Sequence, residues 1–475
     1  MSKSLPALLA AAFAAAAAVS ASGLHAQAAA PESQAPAEQQ VDLSRIEDVP
    51  TLLAMARDLQ AERAWPQLIR VWQRIRSLRI HNPHYVYELA AAFAQAGEMT
   101  QGYNALLVLQ QGGAAYDIGA EPRFSNLHGT EVWDYLVKLY DDARDKPFGS
   151  GQVAFELPPA DLLLESIAHD PTSDSFLFGS ARDGVIYRRG GNGRLQPWAR
   201  PQGDAWWSIF DVKVDVPRKR VWATTAAVPH FKDFKAADAG RAALLEIDLE
   251  DGSLVRAHAA PDDGLPHVLS GIALSPRGDI IVAEGLRGQL FRKAASGGLE
   301  PFMAERRLNA LRGLTFSEDG NTLYFADFEM GLFGIDLSRG MAFDLEYPGT
   351  VILHGIEGLY TYQGQLLAIQ SGTVPQRVIR LKLDEAGRKI EAGVPIEANQ
   401  PAFAGPTLGT VVGDDLYFIA NSQRGFYDGF GLLRGGRELP PVKVYRSNAR
   451  VNWDFKPPSL PESVGPGAIR PGGGD

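Results

Sequence analysis

Residues 312–337 read RGLTFSEDGNTLYFADFEMGLFGIDL, and this stretch decides the fold. Thr315 and Phe316 belong to a first short strand. Glu318, Asp319, Gly320 and Asn321 have the composition of a tight turn. Leu323–Ala326 and Leu332–Leu337 alternate as second and third strands. About one unit earlier, residues 270–293 repeat the plan as SGIALSPRGDIIVAEGLRGQLFRK. A unit this small has too little apolar surface to bury alone and must stack on copies of itself. A strand-only repeat of roughly 40–50 residues predicts a β-propeller.

Working outward gives six blades. The first opens at Glu165 (ESIAHDPTSDSFLFGSARDGVIYRR), and the second reads IFDVKVDVPRKRVWATT followed, after an insertion, by ALLEIDL. The two repeats above are the third and fourth. EGLYTYQGQLLAIQSG with RVIRLKL makes the fifth, and PTLGTVVGDDLYFIAN with VKVYRS makes the sixth. Gln152–Leu157 is expected to pair with the last blade and close the ring, which removes exposed sheet edges. The propeller is thus expected over 151–450, with a loose tail over 451–475 rich in Pro and Gly.

The residues before it are helical. Leu52, Leu53, Met55, Ala56 and Leu59 share a helix face. Pro66 suits a first helical position, Asn82-Pro83 opens a third helix that Gly97 ends, Tyr103–Leu109 belong to a fourth, and 130–143 to a fifth. With a spacing of about 33 residues between the first and third helices, residues 48–150 resemble tetratricopeptide repeats; Leu89, Ala90, Phe93 and Gly97 carry the likeness. Residues 1–28 have the marks of a secretory signal peptide: Lys3, an apolar run over 8–19, and Ala26-Gln27-Ala28 as a cleavage site. Residues 29–47 then read as a disordered linker, and the mature chain as periplasmic or secreted, without a membrane span. There is no cysteine, so neither a disulfide nor a thiolate metal site is available. The net charge of −10 argues against a general nucleic-acid surface.

Propeller connectivity places candidate residues. The starts of innermost strands and the ends of second strands lie on one face of the disk. Strand starts supply Glu165, Ser270, Arg312 and Glu357; second-strand ends supply Thr224, Glu284, Asp327, Gln370 and Asn421. Insertions over 225–241 and 422–440, with His230 and Tyr427 among their cationic and aromatic residues, leave from the same face and suit a lid over an anionic or polar organic ligand. The ligand-binding candidates are therefore Arg312, Glu284, Asp327, Gln370, Asn421, His230 and Tyr427. His169 and His267 are further histidines, the former expected in the core.

Residues 160–447 resemble the gluconolactonase/senescence-marker-protein propellers, and also propellers of the NHL type. Glu165-Ser166-Ile167-Ala168, Ser270-Gly271-Ile272-Ala273, Arg312-Gly313-Leu314-Thr315 and Glu357-Gly358-Leu359 carry the likeness. The resemblance implies a divalent cation at the channel mouth, calcium or zinc, that activates water against a lactone. Glu165 fits the ligand position that opens the first blade; Glu357 could join it in holding the cation, with help from Asp327 or Asn421, and Glu165 and Glu357 are the candidate catalytic residues. Arg312 stands where that pattern wants an oxygen ligand, and an arginine cannot be one. The competing arrangement is an Arg312–Glu357 ion pair between adjacent blades, with or without Glu165, that would fix the mouth structurally or present Arg312 to a substrate carboxylate. The two leading readings are binding of a small polar molecule or periplasmic protein at the channel face, and metal-assisted hydrolysis of a lactone or related ester. A scaffold role through the helices is a third.

Overall fold

The structure is a computed structural model that describes residues 42–453, apart from 296, 436 and 437. The signal-peptide reading over 1–28, residues 29–41 of the linker and 454–475 of the tail lie outside the described residues. No described helix is long and apolar enough to cross a membrane.

Among the described residues, five α-helices precede the first strand: α1 (Val49–Glu62), α2 (Trp65–Leu78), α3 (Pro83–Gln95), α4 (Met99–Gln111) and α5 (Glu131–Asp145). Local signals set their starts. Asn82 caps α3 by accepting from the His84 amide at 3.0 Å, and Thr130 caps α5 by accepting from the Trp133 amide at 3.1 Å. The apolar faces of α3, α4 and α5 meet in one core that includes Tyr103, Leu106, Phe124, Trp133 and Tyr140. The chain ahead of α1 is also tied down, since Arg74 donates to the carbonyls of Ser44 and Ile46.

The rest is a six-bladed β-propeller of six four-stranded antiparallel sheets. Blade 4 comprises Leu311–Phe316, Thr322–Asp327, Gly331–Asp336 and Met341–Asp344 from the channel outward. Its fourth strand does not stand out in the sequence because it is largely exposed and lacks apolar alternation. Gln152–Leu157 pairs with Val442–Asn448 as the outermost strand of blade 6, so the ring is closed by the N-terminal strand. Six apolar clusters hold the disk together, one between each pair of neighbouring blades. Between blades 4 and 5, for example, Tyr324 and Leu332 meet Leu359, Leu366 and Ile379. Each blade thus buries its faces only against its neighbours, as the shortness of the repeat requires.

Innermost strands also pack edge against face around the channel, and there glycine is obligatory. A Cβ on Gly271 would lie 2.6 Å from the Arg312 carbonyl oxygen, and one on Gly313 would lie 2.6 Å from the Leu359 amide nitrogen.

The helices dock on the loops of blades 4 and 5 at the channel-mouth face. Asn82 donates to Glu329 at 3.2 Å, and His81 packs on Gly331 and the ring of Tyr347. Gly112 abuts Ile352, and the Ala115 amide donates to the Val374 carbonyl at 2.7 Å. Arg377, 4% exposed, donates to Gln370, to the carbonyl of Gly112 at the end of α4 and to that of Ile352.

Candidate functional site at the channel mouth

Five of the six innermost strands break their ladder at the same place. The pairing skips Glu165 between Leu164 and Ser166, Phe210 between Ile209 and Asp211, and Ser270 between Leu269 and Gly271. It skips Arg312 and Gly313 between Leu311 and Leu314, and Glu357 between Ile356 and Gly358. A bulge leaves its extra residue unpaired and re-aims the side chain. Here it turns one residue per blade toward the channel mouth. These five, with Leu408 of blade 6, line a cavity of about 200 Å³ whose walls include Leu163, Ala181 and Val268.

The charges in this cavity form an alternating chain. Glu165 and Glu357 are bridged by Arg424 from the 422–440 insertion. Arg424 Nε donates to Glu165 Oε2 at 3.0 Å, its Nη2 donates to the same oxygen, and its Nη1 donates to Glu357 Oε1 at 3.3 Å. On the other side of Glu357, Arg312 Nε lies 3.7 Å from Oε2. The expected Arg312–Glu357 pair is therefore present, but as the far end of Glu165–Arg424–Glu357–Arg312. Glu165 Oε1 also accepts from Ser422 at 2.8 Å. The two carboxylates hold the Arg424 guanidinium above its ordinary range. Ser270 Oγ is committed to the Leu311 carbonyl at 2.8 Å.

Two long insertions meet above this chain. Arg182 donates to the carbonyls of His230 and Gly431 and pairs with Asp161 at 2.6 Å. Tyr427 donates to the same Asp161 at 2.7 Å, and Lys232 donates to its carbonyl at 2.7 Å. Tyr427 is buried in this clasp and does not line the cavity, whereas His230 does. Burial, then the nearby Arg182, lowers the His230 imidazole below the usual histidine range.

The second-strand ends occupy a different ring. Both oxygens of Asp327 are taken by backbone amides, those of Asn309 and Ala310 at one oxygen and of Glu329 and Met330 at the other. Glu284 accepts from the amides of Val268 and Leu286 and from Arg287. Gln370 donates to the carbonyls of Ile352 and His354, and Asn421 donates to that of Pro441 and accepts from the Lys443 amide. Thr224 accepts from the Asp211 amide. Thr224 thus ties to the innermost strand of its blade, the others pin loops, and none lines the mouth cavity. The reason is radial: a second strand lies one strand spacing farther from the axis, so its end meets loops rather than the channel.

These positions also test the expected cation. Asp327 has no acceptor capacity left over, Arg424 occupies the space between Glu165 and Glu357, and Arg312 flanks them. No group of three or more His, Cys, Asp or Glu is placed to hold a metal ion among the described residues. The donor set does not fit a divalent cation.

The remaining histidines lie elsewhere. His267 is buried between Asp263 at 3.1 Å and Arg287 at 2.9 Å. His169 is 3.2 Å from Asp174 and lines a wider cavity of about 540 Å³ at the other end of the channel. The cation of that cavity, Lys213, is paired with the buried Asp211 at 3.2 Å.

The sequence reads Arg424 only as part of the 422–440 lid, and Phe210 does not emerge from it at all. Phe210 is apolar and gives no chemical signal. Arg424 stands three residues beyond a second-strand end, and two unpaired glutamates at the mouth are the clue that a cation must come from such a loop.

No protein family and no curated protein matches the sequence. Similar solved structures include a virginiamycin B lyase from Staphylococcus aureus, with 16% identity over 57% of this chain and 82% of that one and a TM-score of 0.42. A calcium-binding protein, regucalcin, from Agrobacterium tumefaciens shares 17% identity over 63% of this chain and 98% of that one, with a TM-score of 0.42. The PQQ-bound aldose sugar dehydrogenase from Streptomyces coelicolor shares 13% identity over 64% of this chain and all of that one, with a TM-score of 0.40.

Proposed function

We propose that this chain is an exported binding protein that captures a small polar organic molecule at the mouth of its propeller channel. One observation carries the reading: residues re-aimed by bulges in five blades converge with His230 and Arg424 on one small cavity, and Arg312 there is largely uncommitted. A guanidinium has five N–H donors. Arg312 makes one hydrogen bond, to its own neighbour Leu311 at 3.3 Å, and one long ion pair. The Arg312 side chain is 31% exposed, so its spare donors face the open cavity and are available to an occupant that accepts from them.

The test is a thermal-shift and calorimetric screen of small polar compounds against the full chain. Hits should weaken at least tenfold in Arg312→Gln and Glu357→Gln. Hits that bind both variants like the parent would remove the mouth from consideration. Export is tested separately, by sequencing the mature N-terminus; a start at Ala29 is expected.

A hydrolytic reading of the same mouth has one observation in its favour. With its pKa lowered by burial, His230 is a neutral imidazole near pH 7 and can take a proton from water. The same compounds, with lactones and esters included, are to be assayed for turnover. Turnover abolished by His230→Gln with binding retained would turn the binding protein into an enzyme.

A further inference from the structure

The burial of the charge chain has a direction. The side chains of Glu165 and Glu357 are 6% and 10% exposed, whereas those of Arg424 and Arg312 are 52% and 31% exposed. The carboxylates are backed into the disk and the guanidiniums face out. Each oxygen of Glu357 addresses a different guanidinium, Oε1 toward Arg424 and Oε2 toward Arg312, so the two cations bracket one buried carboxylate. A ligand entering the mouth therefore meets two forked cations.

Resting on the mouth as the binding site, we propose that the ligand is a small organic carboxylate held jointly by Arg312 and Arg424, and that these two residues set the charge the site accepts. Glu165 and Glu357 are then positioning residues. They hold Arg424 across the mouth, so that part of its donor set points outward, and they neutralise both guanidiniums while the site is empty.

Alternatives of other charge fit less well. A cationic ligand would have to displace Arg424 from two carboxylates and would still face Arg312. An uncharged ligand would cover the arginines without supplying an opposite charge, whereas a carboxylate adds an ion pair and can accept from a guanidinium fork with both oxygens. Size narrows the class further. A cavity of about 200 Å³ holds the volume of about seven waters at roughly 30 Å³ each. That matches a carboxylate of a few carbons, with the apolar walls of Leu163, Phe210, Val268 and Leu408 taking its carbon chain.

The experiment is calorimetry on the full chain with matched probes: lactate and malate as carboxylates, lactamide and γ-butyrolactone as neutral analogues, and 1-amino-2-propanol as the cation. A carboxylate should bind at least tenfold more tightly than its neutral analogue. That preference should fall to under threefold in Arg312→Gln and in Arg424→Gln, and Arg312→Lys should keep part of it. Glu165→Gln should weaken carboxylate binding less than Arg424→Gln does. Circular dichroism of each variant identifies any that fails to fold, and Arg312→Lys then decides. If neutral probes bind at the mouth as well as carboxylates do, and lose affinity in Glu357→Gln, the anion class is overturned while the mouth remains the site. If no probe binds, or probes bind without sensitivity to any mouth substitution, the mouth reading itself falls.

Discussion

Arg424 donates to Glu165 across 259 residues of sequence, joining the insertion of the last blade to the first strand of the ring. The contact lies where blades 6 and 1 meet, the same junction that Gln152–Leu157 closes at the rim. The ring is thus fastened twice, by a backbone ladder outside and by an ion pair at the channel mouth.

Removing Arg424 leaves two largely buried carboxylates without their main cation. Because the guanidinium is itself half-exposed, solvent recovers part of the loss. Arg424→Met should cost about 1–2 kcal/mol in urea unfolding. Adding Glu165→Gln and Glu357→Gln should restore most of it, since neutral side chains no longer need the cation. Equal stability of the single variant and the parent would mean that the chain of charges does not support the fold.

Asp327 separates a structural carboxylate from a ligand-binding one. Its four backbone amides are the only partners it needs. An asparagine there would turn an amino group toward two of those donors. Asp327→Asn should lower stability by about 2–4 kcal/mol while leaving ligand affinity at the mouth within about twofold. A large loss of affinity at unchanged stability would return Asp327 to the site.

Arg377 is a buried cation whose hydrogen-bond acceptors are all neutral, and burial lowers its pKa to about 10. It fastens α4 to blade 5. Arg377→Met should orphan the Gly112 carbonyl and Gln370 Oε1, while the Ile352 carbonyl keeps its bond from Gln370, and should cost about 3 kcal/mol. Limited proteolysis should then cut between the helices and the propeller sooner than in the parent. A variant as resistant as the parent would show that apolar packing at Ile352 suffices.

His81 is packed between the helices and blade 4, and burial together with the neighbouring His354 lowers its pKa to about 4. The unfolded chain binds the proton near pH 6.5, so between these values it takes up more protons than the folded one. Stability contributed by this group is complete above about pH 6.5 and is lost as the pH falls toward 4, by up to about 3 kcal/mol. His81→Gln should flatten that acid limb in denaturation curves collected from pH 7 to pH 4. An unchanged limb would assign the loss to other groups, His354 among them.

The mouth also tests the spacing rule of the innermost strands. Gly313→Ala would push a methyl group against the backbone of Leu359. It should cost about 1–3 kcal/mol and weaken binding at the mouth, because Arg312 and Glu357 flank the displaced strands. Full binding with reduced stability would show that the arginine tolerates the shift.

The sequence by itself determined the blade count, the closing strand, the five helices and the face on which the mouth lies. Each of these follows from local periodicity and turn chemistry, which act between residues a few positions apart. It also placed Glu165, Ser270, Arg312 and Glu357 at the channel, because a polar residue before the innermost-strand core, usually followed by glycine, repeats from blade to blade. Tertiary structure decided the rest. Second-strand ends have the same local appearance as first-strand starts, and only their radial distance separates loop anchors such as Asp327 and Glu284 from mouth residues. Arg424 reaches Glu165 from the far end of the propeller because ring closure brings the first and last blades together. Whether a glutamate faces a metal or a guanidinium depends on which long loop folds over it, and that is set by contacts no local pattern encodes.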